Sequence, residues 1–341
     1  MTNGTNTYQE ITNQAEAWAE ALALIPARKT ELREMLSGEY NQVLFTGCGS
    51  TYYLSIAAST LFQELTGRQV RAVPGGELLF NPQIVLGKGK TLLVAVSRSG
   101  ETSETVRAVE QFRRQGQGEV IVITNYADKP LAGLADIPLV IEKGQEQSVA
   151  QTRSFASMYI TAVGLAALAA GRSDLLVAMT ALPAVGQRLL SEYAPLARKV
   201  GENIAFDRFY FLGSGIRYGL ACEINLKMKE MTLTHSEPFH FLEFRHGPKS
   251  MVTPSTVVVG FLSDANRKQE EKVLTEMSIL GATVVSLSES DASVSFHSRI
   301  PEPVRGVLYL PVLQLMSWYR SMAKGLNPDR PLNLSTVVFL D

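Results

Sequence analysis

The chain carries one arrangement of residues twice, and this internal repeat limits the folds open to it more than any other feature does. Positions 43–52 and 209–218 each show an apolar run, then Gly-x-Gly, then an aromatic residue at the start of a helical pattern. A strand that turns through Gly-x-Gly into a helix is typical of the first unit of an α/β domain. The repeat therefore predicts two domains of similar design.

Two more apolar runs in the first half also have counterparts in the second. Positions 91–96 match 256–261, and 119–124 match 283–287, with helical patterns between the runs. Apolar runs that alternate with helical segments at this spacing indicate parallel βαβ units. Runs without a polar face indicate a sheet that helices cover on both sides. The sequence therefore predicts an α/β chain of two tandem, doubly wound parallel-sheet domains, each a three-layer αβα sandwich.

The length of the chain and its helical patterns set the expected domain boundaries. At 341 residues the chain exceeds what one hydrophobic core usually supports. The repeats place the first domain at 41–172 and the second, which includes a C-terminal tail, at 201–341. We expect an N-terminal helical segment at 1–40 and a helical connector at 173–200.

The composition excludes several functional classes. A net charge of −1 gives no basic surface for nucleic acid or for an anionic membrane. The N-terminal residues lack the basic and apolar regions of a signal peptide, and the small apolar run at 160–170 is too short to span a bilayer. The two cysteines, Cys48 and Cys222, lie far apart without metal-ligand spacing. We therefore expect a cytoplasmic protein without a bound metal.

A hydroxyl-rich turn at 97–102, Ser-Arg-Ser-Gly-Glu-Thr, follows a predicted buried strand and precedes a helical run. Ser and Thr are preferred helix N-caps, so a plain cap is one interpretation. The other is an anion site, because the first N–H groups of a helix lack partners and its dipole favours negative charge there. This turn and both Gly-x-Gly turns fall at the carboxyl ends of strands, where doubly wound sheets bind ligands. That placement favours the anion site.

The first Gly-x-Gly, at 47–49, does not fit a dinucleotide site. It lacks the third glycine of that fingerprint, and no acidic residue closes the second strand in the expected place. We therefore expect no cofactor at this turn. Hydroxyls beside the two turns suit a phosphate monoester, and the candidate ligands are Ser50, Thr51, Ser97, Ser99 and Thr102.

Three segments resemble one known family. Cys-Gly-Ser-Thr at 48–51, the 97–102 turn and the segment 223–248 are similar to motifs of the sugar isomerase (SIS) domain family. The resemblance is greatest to the isomerase half of glucosamine-6-phosphate synthase and to stand-alone phosphosugar isomerases and deaminases. It implies SIS-type domains with a five-stranded parallel sheet each, a sugar phosphate as ligand, and no cofactor. It also implies a homodimer whose sites lie near the subunit interface.

The resemblance implies roles for individual residues as well. Glu230 matches the carboxylate that moves a proton between C1 and C2. His246 matches the histidine that opens the sugar ring, which in that family comes from the neighbouring subunit. Arg98 stands where the synthases have glutamine and could add charge. The positions expected to bind substrate are Ser50, Thr51, Ser97, Arg98, Ser99, Thr102, Val149, Gln151, Lys227 and Ser335.

These residue types suit the chemistry. A carboxylate can take a proton from one carbon and return it to the next, and histidine titrates in the range needed to exchange a proton with the ring oxygen. The plainer interpretation of Glu223, Lys227 and Glu230 is a salt-bridged helix stripe, because their i, i+4, i+7 spacing puts them on one face. Histidines and acids at 235–246 could suggest a metal, but no HExxH pattern is present, so no metal site is expected.

Two departures from the synthase pattern narrow the function. The chain shows no glutamine-hydrolysing segment, so we expect a glutamine-independent enzyme. Thr336 takes the place of a lysine that engages the open-chain sugar, and threonine cannot form a Schiff base. Three functions remain open. One is an isomerase of a hexose or hexosamine 6-phosphate, with loss of ammonia if C2 carries an amine, as in a glucosamine-6-phosphate deaminase. The others are a fructosamine-6-phosphate deglycase and a non-catalytic phosphosugar sensor.

Overall fold

A computed structural model gives the fold and describes residues 3–340. The strands are β1 (Gln42–Gly47), β2 (Val70–Pro74), β3 (Thr91–Ser97), β4 (Gly118–Thr124), β5 (Ile137–Val140), β6 (Arg208–Gly213), β7 (His235–Phe239), β8 (Thr256–Phe261), β9 (Thr283–Ser288) and β10 (Val294–Ser295). The helices are α1 (Thr5–Thr12), α2 (Ala15–Ala27), α3 (Lys29–Leu36), α4 (Ser50–Thr66), α5 (Gly75–Phe80), α6 (Pro82–Val85), α7 (Ser103–Gln115), α8 (Pro130–Gly133), α9 (Arg153–Ala169), α10 (Ser173–Met179), α11 (Leu182–Gly201), α12 (Ile216–Thr232), α13 (Arg267–Ile279) and α14 (Pro311–Ala323). Short 3₁₀ turns occupy Glu142–Gly144, Glu243–Arg245, Pro248–Met251, Glu302–Val304 and Gly306–Tyr309.

The first sheet is parallel throughout, with the strand order β2-β1-β3-β4-β5. Every residue of its central strand β3 is buried, as expected where helices cover both faces. On one face, three strand residues pack with two residues of α7 in one core: Leu44, Leu93, Val120, Val109 and Phe112. Burying one such side chain contributes about 1.5–3 kcal/mol. This core fixes the ends of β1, β3 and α7 relative to one another.

The second sheet repeats the arrangement, with the order β10-β9-β8-β6-β7 and parallel pairing throughout. Its core joins strand residues to one face of α13, and includes Tyr210, Leu212, Val258, Val273 and Met277. The apolar runs of the sequence repeat form β1, β3 and β4 in the first sheet and β6, β8 and β9 in the second. The prediction of two doubly wound parallel-sheet domains is therefore confirmed.

The chain divides into two compact units, each with one sheet. The first-sheet unit comprises Gln14–Glu146, Arg153–Thr180 and the tail from Ser335 onward. The second-sheet unit comprises the chain up to Asn13, Gln147–Thr152 and Ala181–Leu334. This division differs from the sequence boundaries at both termini: α1 belongs with the second sheet, and the tail belongs with the first.

Long-range hydrogen bonds explain the difference. In the second-sheet unit, Thr7 of α1 donates its main-chain N–H and its hydroxyl to the Asp329 carboxylate, at 2.8 and 2.7 Å. In the first-sheet unit, the N–H of Ser103 donates to the tail carbonyl of Val338 at 3.3 Å. Such bonds join positions far apart in the chain and leave no local pattern. Among residues 3–340, no helix is both long and apolar enough to cross a bilayer.

Candidate active site

The strand order of the first sheet defines a crevice between β1 and β3. The chain passes from β1 to β2 on one side, and β3 lies on the other side, so the connections diverge at this point. In doubly wound sheets, ligands bind at such a switch point, outside the carboxyl ends of the strands. The two hydroxyl-bearing turns singled out in the sequence follow β1 and β3 directly. The fold therefore places both turns at one crevice.

The turn after β1 is tight. Gly49 has φ 56°, in the left-handed region that glycine tolerates, and α4 begins at the next residue. The hydroxyl of Thr51 accepts a hydrogen bond from the N–H of Cys48 at 2.9 Å, and both Ser50 and Thr51 are buried. The thiol of Cys48 lies 3.4 Å from the Thr105 hydroxyl of α7. This contact links the first turn to the helix that follows the second.

The turn after β3 is built on its own hydroxyls. Ser97 Oγ accepts from the N–H of Gly100, and Ser99 Oγ accepts from the N–H of Glu101, both at 3.2 Å. Gly100 has φ 67°, so a side chain here would be strained. Thr102 is the N-cap residue of α7, yet its side chain makes no cap hydrogen bond. The plain-cap interpretation therefore does not describe the Thr102 hydroxyl.

Arg98 in the same turn is almost fully buried, with 6% of its side chain exposed, and faces a buried carboxylate. Its Nη1 lies 3.7 Å from Oε2 of Glu146, which also accepts a hydrogen bond from the Ser154 hydroxyl. Its Nη2 donates to the main-chain carbonyl of Thr336 in the tail at 3.0 Å. The charge that Arg98 was expected to add is therefore compensated in part by Glu146. Thr336 takes part in its hydrogen bond with Arg98 through its main-chain carbonyl oxygen.

In the second-sheet unit, α12 carries a buried ionic cluster. The ammonium of Lys227 lies 2.5 Å from Oε2 of Glu230 and 3.4 Å from Oε1 of Glu223. The side chains of Lys227 and Glu223 are 1% and 0% exposed, whereas that of Glu230 is 19% exposed. The salt-bridged stripe expected from the spacing is present. Lys227 is predicted to bind substrate, and in the structure its ammonium lies near the carboxylates of Glu223 and Glu230, where it can position Glu230.

The exposed part of Glu230 faces a cavity of about 310 Å³ within the second-sheet unit. The walls combine polar groups with apolar side chains and include Asn3, Leu233, Asn327, Arg330 and Leu332. This volume lies at the small end of the range for small-molecule binding sites. A carboxylate that is held on one side and open to a cavity on the other is arranged as a general base or acid should be.

The loop that forms one wall of this cavity is fixed by the segment 147–152. The carbonyl of Asp329 accepts a hydrogen bond from the N–H of Val149 at 3.0 Å, and its carboxylate is held by α1. Val149 is predicted to line the sugar through its backbone, and its N–H anchors the loop. Gln151 Oε1 is buried without a hydrogen-bond partner in the described structure, so an acceptor is available beside this anchor.

The remaining predicted residues lie elsewhere. His246 is exposed after the turn Glu243–Arg245 and does not line the Glu230 cavity. The Ser335 hydroxyl donates to the Val337 carbonyl within the tail at 2.9 Å. His240 stacks on Tyr218 with ring centroids 3.9 Å apart, and burial lowers its pKa. Between residues 3 and 340, no group of three His, Cys, Asp or Glu side chains is arranged to hold a metal.

Two sets of residues at these sites were not predicted from the sequence. Glu146, the partner of Arg98, has no motif around it, because the pair forms only through the fold. Arg330 and Asp329 belong to the segment 327–331, Asn-Pro-Asp-Arg-Pro, which follows a buried helix. Turn-forming residues after a buried helix indicate a loop. The charged residues in this loop were the sequence feature that could have indicated a site here.

Known proteins share this design. A family model described as the SIS domain matches residues 36–169 and 205–299, more than half of the chain. Glutamine–fructose-6-phosphate aminotransferase (isomerizing) of Pyrococcus horikoshii is 28% identical over 352 aligned positions, which cover 98% of this chain and 57% of that protein. The protein of the same description from Sulfolobus acidocaldarius is 29% identical over 311 positions, covering 88% and 50%. The chain thus spans about half the length of the curated relatives it matches.

Solved structures extend the comparison. A glucosamine-6-phosphate deaminase from Thermotoga maritima is 28% identical with a TM-score of 0.83, covering 98% of this chain and 100% of that one. A tagatose-6-phosphate ketose/aldose isomerase from Escherichia coli is 24% identical with a TM-score of 0.84, covering 97% and 98%. At that lower identity the likeness shows the fold alone. The family model covers the strands of both sheets and the turns after β1 and β3, and the chain therefore belongs to the SIS domain family.

Proposed function

We propose that this protein transfers a proton between C1 and C2 of a 6-phosphorylated hexose or hexosamine. The reaction is an aldose–ketose isomerisation that releases ammonia when C2 carries an amine. The observation that carries the proposal is the position of Glu230, held 2.5 Å from the Lys227 ammonium and open to a cavity. The similarity to a protein described as glucosamine-6-phosphate deaminase supports the amine-bearing substrate.

In this reaction the Glu230 carboxylate takes the proton from C2 of the open-chain aldose. The C–H electron pair becomes the C1–C2 double bond, and the carbonyl oxygen at C1 takes up a proton. Glu230 then returns its proton to C1 while the C2 hydroxyl releases its own proton, which balances the proton taken up at the C1 oxygen, and the C2 carbonyl of the ketose forms. With an amine at C2 the same sequence yields a ketimine, which water hydrolyses to ketose and ammonia. One carboxylate serves as base and then as acid, and Lys227 keeps it in a single orientation.

The phosphate of the substrate binds, in this proposal, at the first-sheet crevice. The hydroxyls of Ser50, Thr51, Ser97, Ser99 and Thr102 lie in the turns at that switch point. The Thr102 side chain, which makes no cap bond, can donate to a phosphate oxygen. The phosphate is remote from the reacting carbons, so its binding energy serves to position them.

Ring opening is assigned to His246 of a second copy of the chain, in a homodimer. His246 is exposed and is absent from the lining of the Glu230 cavity in its own chain. Both observations fit a histidine that serves a neighbouring subunit. Its imidazole would pass a proton between the anomeric hydroxyl and the ring oxygen.

The test is Glu230→Gln, assayed by NMR in D₂O with a panel of hexose, hexosamine and fructosyl-amine 6-phosphates. The wild type should incorporate deuterium at C1 or C2 of at least one ligand, and an ammonia assay then identifies amine-bearing substrates. The variant should lose this exchange while its affinity for the same ligand stays within about tenfold, or 1.4 kcal/mol. Glu243→Gln, an exposed carboxylate of the same unit, is the control. Unchanged exchange in Glu230→Gln would refute the proposal.

A further inference from the structure

The second sheet has a switch point of its own, between β6 and β8, and the proposed function does not use it. The strand order is the same in both sheets, so the turns after β6 and β8 correspond to the turns after β1 and β3. The construction of the turns is also alike. Ser263 Oγ accepts from the N–H of Asn266 at 3.0 Å, as Ser97 Oγ accepts from the N–H of Gly100 in the first sheet. The second crevice therefore has the same strand order as the first and a similar turn after its central strand.

A carboxylate of the chain itself fills this second crevice. The N–H of Asp264 donates to Oε1 of Glu302 at 2.9 Å, and Nη1 of Arg217 lies 2.7 Å from the same oxygen. Glu302 begins the 3₁₀ turn Glu302–Val304. A turn N–H and a guanidinium on one oxygen are the donors that proteins use to bind phosphate oxygens.

The neighbouring donors are also taken. The N–H and the hydroxyl of Ser263 both donate to Oε2 of Glu270, at 2.6 and 3.0 Å. Arg305, which is 3% exposed, pairs with the Asp264 carboxylate. An added phosphate dianion would therefore meet carboxylates at short range and find few donors.

The first-sheet turn differs on this point. Its Gly100 and Glu101 N–H groups are bonded to the neutral hydroxyls of Ser97 and Ser99. Neutral hydroxyls can turn their protons toward an incoming anion, because each is both donor and acceptor. The two crevices therefore have the same strand order and similar turns. They differ in the groups that accept from the turn N–H groups, which are neutral hydroxyls in the first sheet and include carboxylates in the second.

We propose that the Glu302 carboxylate is a resident anion in the place where a ligand phosphate would bind, which closes the second-sheet crevice to phosphate esters. The chain then takes one sugar phosphate although its fold is duplicated. Removing the carboxylate leaves the Asp264 N–H and the Arg217 guanidinium without this acceptor. That change converts the crevice into a binding site for small anions.

The experiment uses Glu302→Ala and its matched control Glu302→Gln, which retains an acceptor oxygen. Both are made in a Ser99→Ala/Thr102→Ala background, so that the first-sheet crevice contributes little. Inorganic phosphate is titrated by calorimetry, and thermal unfolding is followed in acetate against chloride at equal ionic strength. Glu302→Ala should bind phosphate at least about tenfold more tightly than Glu302→Gln or the background. Of these proteins, only Glu302→Ala should unfold at a higher temperature in acetate than in chloride.

A second variant shows where the new site lies. Adding Arg217→Met to Glu302→Ala should abolish the gained phosphate binding. A folded Glu302→Ala that binds phosphate no better than the background would overturn the proposal. So would two sugar phosphates bound per wild-type chain. If Glu302→Ala folds only with added anion, refolding in phosphate but not in chloride supports the proposal, and failure in both overturns it.

Discussion

The ammonium of Lys227 lies 2.5 Å from the Glu230 carboxylate, and the Lys227 side chain is only 1% exposed. The buried carboxylate of Glu223 also lies near this ammonium, at 3.4 Å. A buried cation between two acids is costly to desolvate, and its removal takes this counter-charge away from the buried Glu223 carboxylate. The cluster therefore couples the stability of α12 to the orientation of Glu230.

Lys227→Met should lower the free energy of unfolding by about 3–5 kcal/mol, because Glu223 then remains buried and charged. The double variant Lys227→Met/Glu223→Gln should recover much of that stability. It should still turn over slowly, since Glu230 lacks its orienting partner. Urea unfolding and kcat measured on the same samples separate the two effects. Recovery of kcat together with stability would show that Lys227 acts on stability alone.

The central strands could be predicted from the sequence, whereas the edge strands could not. β3 and β8 are buried at every position, so they appear as continuous apolar runs. β2 has no fully buried residue, and β7 contains a proline and an exposed histidine. Edge strands with one solvated side lose the apolar pattern on which the prediction depends.

Local turn chemistry was predictable at the site, and long-range partners were not. The Ser97–Thr102 hydroxyls follow a strand in sequence and lie together for that reason alone. The Arg98–Glu146 pair and the Asp329–Thr7 bonds join residues that only the fold brings close. The spacing predicted the face of α12 that Lys227 shares with Glu223 and Glu230 but not its burial, because spacing predicts which face a residue shares and not how deeply it is buried.

The hydroxyl turn gives a second prediction. Ser99→Ala/Thr102→Ala should weaken binding of hexose 6-phosphates by about 100–200-fold, since two hydroxyl donors to a charged group are lost at roughly 1.5 kcal/mol each. Binding of the unphosphorylated sugar should change little. Ser103→Ala, which alters the next hydroxyl along α7, is the control. Calorimetry with both ligands measures the effect, and equal weakening of the two would move the phosphate away from this turn.

The assignment of His246 to a partner subunit gives a third prediction. Glu230→Gln and His246→Ala should each be inactive alone, yet a mixture unfolded and refolded together should regain about a quarter of wild-type activity. Random pairing makes half of the dimers mixed, and each mixed dimer has one intact site of two. The test compares the activity of the refolded mixture with the activity of each variant refolded alone. A mixture as inactive as its parents would place both residues in one chain's site.

A pH prediction follows from Glu270, whose pKa is raised because burial removes water from its charged form. A carboxyl whose folded-state pKa lies above its unfolded-state value holds its proton more tightly in the native protein. Its contribution to stability is therefore greatest at low pH and declines as the pH rises through the folded-state pKa. Glu270→Gln keeps an acceptor for Ser263 and removes the charge. It should match the wild type in acid and exceed it in stability at neutral pH.

Glu276, on the same helix α13, supplies the opposite control. A hydrogen bond from Arg245, 2.9 Å away, lowers its pKa. Its contribution is present above the unfolded-state pKa and is lost as the pH falls, so Glu276→Gln should cost stability at neutral pH and nothing in acid. The cost should be small, because a partly exposed pair contributes at most about 1 kcal/mol. Urea unfolding across this pH range tests both variants. Both residues lie on α13 and carry the same substitution. If the stability difference between variant and wild type changed with pH in the same direction for both, helix propensity, and not burial of the Glu270 carboxylate, would control the pH dependence.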